Sequence, residues 1–286
     1  MPLATTGMDS LLRLSRAGED LFQGWCHHGA PGRGFGGLTA AQALVAAGLT
    51  VRAGQLPHSL HGYFLSAVDP ERPVGYQVER VRNGHAYATR RVTARQGDRQ
   101  AFTLTASFKL PERTTRRHGA RPAAPDPAAL PNLLTAWRLN GGAAACSSLP
   151  FEVLDLRLVG RADTPAAEPG RHRQHVWLRA AQPLPDEGLL HAAALVYGSD
   201  LLFAPTAALD VEDPAPVRTT APRTFMTSLD HAVWFHRPPR LDDWLLFDQR
   251  SPAAGDGRGL VQGELWSREG ELVASVAQEA VLRPLR

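Results

Sequence analysis

Hydrophobic and polar positions alternate with a period of two over much of this chain, the signature of strands that bury one face. Near the C-terminal end, Leu272, Ala274, Val276, Ala280 and Leu282 form the apolar side of such a strand, and Gln278 stands on that same side. An earlier stretch, Phe102, Leu104, Ala106, Phe108 and Leu110, repeats the alternation with Phe108 at the place of Gln278. One of two matched strands therefore reads as built to hold something polar.

The rest of the chain extends the duplication. His58-Ser59-Leu60-His61-Gly62-Tyr63-Phe64 returns in looser form as Ser228-Leu229-Asp230-His231-Ala232-Val233-Trp234-Phe235, at the same offset to within one residue. Further alternating runs follow each copy, Tyr76 to Val81 and Ala86 to Thr93 in the first half, Trp244 to Gln249 and Leu260 to Trp266 in the second. Asn83-Gly84 and Gly255-Asp256-Gly257 supply turns between them, so each repeat predicts an antiparallel meander. Ahead of each meander lies a helix candidate. Gly36-Gly37 opens Leu38 to Val51, rich in Ala and Leu, and His191 to Phe203 is apolar on nearly every face, the pattern of a helix buried in a core. One long helix and one antiparallel sheet, occurring twice, give an α+β class in which a curved sheet wraps a helix in each half. Between the halves, Pro111 to Leu149 carries five prolines as far as Pro131, together with Arg116-Arg117 and Gly141-Gly142, and reads as a linker with one short helix over Asn132 to Leu139. The expected division is 1–110, a linker 111–149, and 150–286.

Composition narrows the class. With 286 residues and an apolar fraction of 43%, the chain has material for two ordinary cores. No apolar run approaches the roughly 20 residues of a membrane span, and the N-terminus lacks a basic region followed by an apolar core, so no membrane partner and a cytoplasmic location are expected. The two cysteines, Cys26 and Cys146, lie far apart, and reduced thiols are the expectation. A net charge of +3 is mild, and the basic residues are arginines except Lys109. Arg82, Arg90, Arg91 and Arg95 lack the interleaved aromatics of a nucleic-acid platform and read as a solvated face.

Several chemical signatures fail on physical grounds. Gly32, Gly34 and Gly37 match G-x-G-x-x-G, but Trp25-Cys26-His27-His28 is no parallel strand and no acid follows about 20 residues on. Ser228, Asp230 and His231 do not read as a Ser-His-Asp triad, because residues three apart on a strand point to opposite faces. Cys26-His27-His28 and His58 with His61 lack zinc spacing, so neither metal nor cofactor is expected. What remains is three polar residues in apolar settings. Asp200 lies in the buried-helix candidate, where an unpaired carboxylate would cost several kcal/mol or lose its charge. Ser228 begins the long strand of the second repeat, and Gln278 faces the core from the last strand. Each alone is as well explained by a cap or a satisfied core hydrogen bond.

Taken together these segments resemble the acyl-CoA thioesterase II family of double hot-dog proteins. The resemblance covers nearly the whole chain. It rests on Phe35-Gly36-Gly37 with Gln42-Ala43-Leu44, the His58 to Leu65 segment, and Thr105-Ala106-Ser107-Phe108. In the second half it rests on Pro150-Phe151-Glu152-Val153, Tyr197-Gly198-Ser199-Asp200, Leu229-Asp230-His231, Trp234-Phe235-His236-Arg237-Pro238, and Val273-Ala274-Ser275 with Gln278-Glu279. By motif position the resemblance implies a catalytic trio of Asp200, Ser228 and Gln278 acting on a water. Bacterial members carry Thr where this chain has Ser228; serine keeps the hydroxyl and loses the methyl that restricts its rotamers.

The resemblance implies hydrolysis of acyl-CoA to fatty acid and coenzyme A without a covalent intermediate. It further implies a backbone N–H near a helix start as oxyanion donor, an apolar tunnel for the acyl chain, an arginine near the mouth for the coenzyme A phosphates, and a homodimer or homotetramer. Two alternatives keep the fold and change the class: an acyl-CoA-binding or regulatory protein that hydrolyses nothing, and another thioester enzyme such as a hydratase.

Overall fold

A computed structural model of the chain describes residues 7–30, 32–112, 114–139, 151–160, 172–209 and 223–285. The chain opens with a short helix, α1 (Met8–Leu12), strands β1 (Ser15–Gly18) and β2 (Leu21–Gly24), and a small hairpin of β3 (His28–Ala30) and β4 (Arg33–Gly34). Helix α2 (Gly36–Gly48) leads into β5 (Leu56–Phe64), β6 (Val74–Asn83), β7 (Tyr87–Gln96) and β8 (Arg99–Lys109). A short helix, α3 (Leu133–Leu139), stands between the halves. The second half comprises β9 (Leu154–Leu158), β10 (His172–Ala180), α4 (Gly188–Asp200), β11 (Thr224–Ser228), β12 (Asp230–Phe235), β13 (Leu245–Gly255), β14 (Arg258–Ser267) and β15 (Leu272–Pro284).

All strands but β3 and β4 join one sheet in the order β1-β2-β6-β7-β8-β5-β12-β15-β14-β13-β10-β9, with β11 also paired to β15. Every pairing is antiparallel. The two halves meet edge to edge where β5 pairs with β12, Ser59 opposite Trp234 and Tyr63 opposite Asp230. Each half thus covers an edge that would otherwise expose unpaired backbone groups.

Alternation does the packing. In β15 the inward positions Ala274, Val276, Gln278 and Ala280 are buried, and in β8 so are Phe102, Leu104, Ala106 and Phe108. Gln278 is 1% exposed and Phe108 0%, so the glutamine occupies a true core position. Helix α2 lies against β5, β6, β7 and β8 and beside α4. Gly37 to Leu44 and His191 to Ser199 are buried without interruption, so neither helix has a wet face, and the many alanines let the two approach closely.

Two expectations need correction. Gly188–Ala208 is long and apolar enough, by length and composition alone, to cross a bilayer, which a count of uninterrupted apolar runs does not reveal; 67% of its most apolar window is buried inside the protein. Arg90 is not part of a solvated face. It is 1% exposed and turns inward, where Nε donates to Thr50 Oγ1 at 2.7 Å, Nη2 to Thr50 O at 2.9 Å and to Asn83 Oδ1 at 2.7 Å, and Nη1 to Arg82 O at 2.8 Å. Its neighbours Arg82, Arg91 and Arg95 are exposed. The register shift between Arg80 and Arg82 on the paired strand accompanies this inward turn, and the acceptors, all neutral, tie β7 to the chain just after α2.

Candidate active site

Asp200 is the last residue of α4, and the backbone explains why the helix stops there. The expected helix ran to Phe203, but Leu202 takes φ 62°, a left-handed conformation that costs a non-glycine residue about 1–2 kcal/mol. A buried amide cluster holds it. Gln174 Nε2 donates to Leu202 O at 3.0 Å, to Thr206 Oγ1 at 2.8 Å and to Gln249 Oε1 at 2.8 Å. The chain is therefore turned aside directly after Asp200, leaving that carboxylate at the edge of a cavity with its Oδ1 buried and without a hydrogen-bond partner.

The cavity has a volume of about 810 Å³. Gly36, Phe64, Asp200, Leu202, Ser228 and Leu229 line one part of it. Gly36 fits a close approach: a β-carbon there would sit 3.1 Å from Asp200 Oδ2 and 3.0 Å from the ring of Phe64. The first N–H groups of α2, which have no acceptor within their own helix, thus open beside the Asp200 carboxylate, and the positive end of the helix dipole favours an anion there.

Ser228 ends β11, and a break at Leu229 separates it from β12. Leu229 N donates to Glu279 O at 2.8 Å and Phe64 N to Leu229 O at 2.9 Å. This interruption overturns the parity argument drawn from a continuous strand. Ser228 and His231 lie on the same inner face, one on either side of the Gln278 amide: Gln278 Nε2 donates to Ser228 Oγ at 2.7 Å, and His231 Nδ1 lies 2.5 Å from Gln278 Oε1. Asp230 faces the other way, accepting from Glu279 N at 2.6 Å and pairing with His61 Nε2 at 2.9 Å. A Ser-His-Asp triad is therefore absent among these three, but the reason is an intervening glutamine rather than opposite faces.

Of the three candidate residues, the structure joins Ser228 to Gln278 by a direct bond and brings Asp200 and Ser228 to the wall of one cavity. His231, set aside as a triad member on strand parity, is the second partner of the Gln278 amide. It is 0% exposed, its second nitrogen Nε2 lies 2.9 Å from Ser199 Oγ, and burial lowers its pKa against the opposing pull of the Asp200 charge. The signal was present in the match of Gln278 to Phe108, since a core glutamine needs partners on both ends of its amide.

The far wall comes from unexpected places. The β3–β4 hairpin contributes Gly29, Ala30, Arg33 and Gly34, and α3 contributes Leu133 and Leu134 beside Phe151. Asn132 anchors α3 by capping Thr135 N at 3.0 Å and donating to Asp155 Oδ1 at 2.8 Å. The hairpin is tied down by His27, whose Nε2 lies 3.0 Å from Tyr197 Oη and whose ring stacks on Phe35 with a centroid separation of 5.6 Å. Burial takes the His27 pKa down to about 4 and the Cys26 thiol up to about 12, so the first stays neutral and the second inert at neutral pH. Among the described residues no group of three or more His, Cys, Asp or Glu could hold a metal ion.

Comparison with known proteins decides the family. Residues 23–109 match the acyl-CoA thioesterase N-terminal domain and residues 122–282 the acyl-CoA thioesterase C-terminal domain. The chain belongs to the acyl-CoA thioesterase II family. Among relatives of this family, acyl-coenzyme A thioesterase 8 of Mus musculus is 36% identical over 96% of this chain and 88% of its own length. Acyl-CoA thioesterase 2 of Haemophilus influenzae is 30% identical over 96% of each. The crystal structure of an acyl-CoA thioesterase II from Mycobacterium marinum superposes with a TM-score of 0.81 at 37% identity, covering 98% of this chain and 99% of that one. A hot-dog-fold protein from Alicyclobacillus acidocaldarius, at 24% identity, shares the fold with a TM-score of 0.75. Acyl-CoA thioesterases are thioester hydrolases, and the fold here is that of hot-dog thioesterases, a large antiparallel sheet with few helices.

Proposed function

We propose that this protein hydrolyses acyl-CoA thioesters to the free acid and coenzyme A, with a water activated by Asp200 and oriented by Ser228 and Gln278. The observation that carries the reading is the buried, unpartnered Oδ1 of Asp200 on the wall of a cavity shared with Ser228, whose Oγ already accepts from Gln278. Because Gln278 donates to Ser228, the Ser228 proton is free to be given. A water accepting from Ser228 and donating to Asp200 has its remaining lone pair directed into the cavity, toward a thioester carbonyl. Asp200 takes the water proton as the C–O bond forms, and the thiolate leaves with little acid assistance. The carbonyl oxygen becomes an oxyanion as the tetrahedral species forms, and the N–H groups of Gly36 and Gly37 at the start of α2 are the donors suited to it.

The apolar side chains Leu133, Leu134, Phe151, Leu156, Leu202 and Met226 support a chain of methylenes as occupant of the cavity. Arg33, exposed on the same wall with its guanidinium 5.3 Å from the ring centroid of Phe225, is the arginine suited to the coenzyme A phosphates. The architecture is a double hot-dog, two halves at 1–110 and 150–286 joined by 111–149; separate N- and C-terminal family matches support two halves, the second match beginning at 122, within the joining stretch. Thiol release from a panel of acyl-CoAs tests the function: hydrolysis supports it, binding without release favours a regulatory role, and a change in enoyl absorbance favours a hydratase.

A further inference from the structure

Three buried groups, Ser199, His231 and Gln278, and the half-buried Ser228 on the cavity wall form an unbroken hydrogen-bonded line through the second half. Their successive separations are 2.9, 2.5 and 2.7 Å. Such a line has a direction, because each hydroxyl, each neutral imidazole and each amide can face either way. With Gln278 Oε1 toward His231, the imidazole donates from Nδ1 and accepts at Nε2, Gln278 Nε2 donates to Ser228, and the Ser228 proton remains free. With the line reversed, the Ser228 proton is spent on Gln278 Oε1 and Ser228 has nothing to donate. Ser199 Oγ also lies 3.0 Å from Val196 O, so it has a second acceptor for its single proton and can serve either direction.

We propose that His231 is a positioning residue that sets the direction of this line: its Nδ1–H fixes the amide of Gln278 and so leaves the Ser228 hydroxyl as a donor to the reacting water. The inference rests on the hydrolytic reading above. One feature favours this direction. Asp200 stands on the same cavity wall as Ser228 with a buried oxygen lacking a donor, and a Ser228 proton left free orients a bridging water to donate to it. The His231 ring, 0% exposed and edge-on to Phe203 at a centroid distance of 6.2 Å, is held in place to keep both contacts. His231 itself touches no substrate, being 0% exposed and not among the residues that line the cavity.

The direction distinguishes this role from mere packing. Leucine at 231 keeps a similar side-chain volume and removes both ring nitrogens, the donor included. Asparagine puts an amide NH2 near the Nδ1 position, whereas glutamine puts it near Nε2. The test is steady-state kinetics on His231→Leu, His231→Asn, His231→Gln, Gln278→Leu and the double variant His231→Leu/Gln278→Leu, with Asp200→Asn beside wild type. His231→Leu is expected to lower kcat roughly 10- to 100-fold with KM within about twofold. His231→Asn is expected to stay within about threefold of wild type and His231→Gln to fall at least about tenfold. The double variant is expected to be no slower than Gln278→Leu alone, because residues acting as one unit are not additive. Multiplying effects, equal rates for the Asn and Gln variants, or a His231→Leu enzyme with wild-type kcat overturns the inference. Where His231→Leu does not fold, the Asn and Gln comparison decides. A wild type that releases no thiol, or a rate indifferent to Asp200→Asn, overturns the hydrolytic reading and this inference with it; normal Asp200 dependence with an additive cycle overturns the inference alone.

Discussion

Gly36→Ala adds one methyl group at the start of α2 and leaves every backbone N–H in place. The new β-carbon would stand 3.0 Å from Cε1 and Cζ of Phe64 and 3.1 Å from Asp200 Oδ2, against about 3.5–4.0 Å for a relaxed carbon contact. Something must retreat by about half an ångström. Phe64 is held against the fully buried Phe102 with ring centroids 4.8 Å apart, so the carboxylate, whose Oδ1 has no partner to hold it, is the group that gives way. A misplacement of 1 Å costs a reacting group on the order of 10²-fold, so half of that predicts a loss of about tenfold in kcat, equivalent to about 1.4 kcal/mol of barrier. Stability moves little: exchanging helical Gly for Ala gains at most about 1 kcal/mol, and the crowding offsets a similar amount. Thiol-release kinetics with a thermal melt separates the two effects. The expectation is kcat down about tenfold with Tm within about 4 °C of wild type. Wild-type kcat in a folded Gly36→Ala enzyme would refute the reasoning, since the carboxylate would then have no part in the chemistry beside α2.

Three further outcomes follow from the same geometry. Ser228→Ala removes the hydroxyl that orients the water and should lower kcat by about 10²-fold, whereas Ser228→Thr keeps it and should hold kcat within about threefold, both read by thiol release. Because the folded-state pKa of His27 is lowered from 6.5 to about 4, the unfolded chain binds its proton more readily; the stability from keeping His27 neutral is fully present above about pH 6.5 and is lost as pH falls toward 4, a change of about 3 kcal/mol that urea titrations from pH 7 to pH 4 should register and that His27→Gln should flatten. Leu134→Trp on α3 reduces the cavity volume and should depress kcat/KM for long acyl chains by at least about tenfold relative to short ones; an unchanged chain-length profile would remove α3 from the substrate wall.

What the sequence discloses here depends on whether a signal is local. The inward place of Gln278 follows from an uninterrupted alternation, and the turns at Asn83-Gly84 and Gly255-Asp256-Gly257 follow from residue type, so these features were legible. Asp200 was legible as a charge in an apolar stretch. The features that were not legible depend on cross-strand or tertiary partners. The break at Leu229 shifts the parity of everything after it and is stabilised by Glu279 and Phe64, both remote in sequence. The left-handed Leu202 rests on Gln174 and Thr206, and nothing in its own identity favours that conformation. Arg90 reads as surface until Thr50 and Asn83 supply its acceptors. The leucines of α3 read as an incidental helix until Asn132 binds Asp155 and fixes them over the cavity.

The central claim is that Asp200 activates a water for thioester hydrolysis. Thiol release from acyl-CoAs of increasing chain length, measured for wild type beside Asp200→Asn with folding verified by circular dichroism, tests it most directly. Wild type is expected to turn over, and kcat to fall by about 10²-fold or more in the variant at similar KM. Robust hydrolysis by Asp200→Asn, or none by wild type on any chain length, would contradict it.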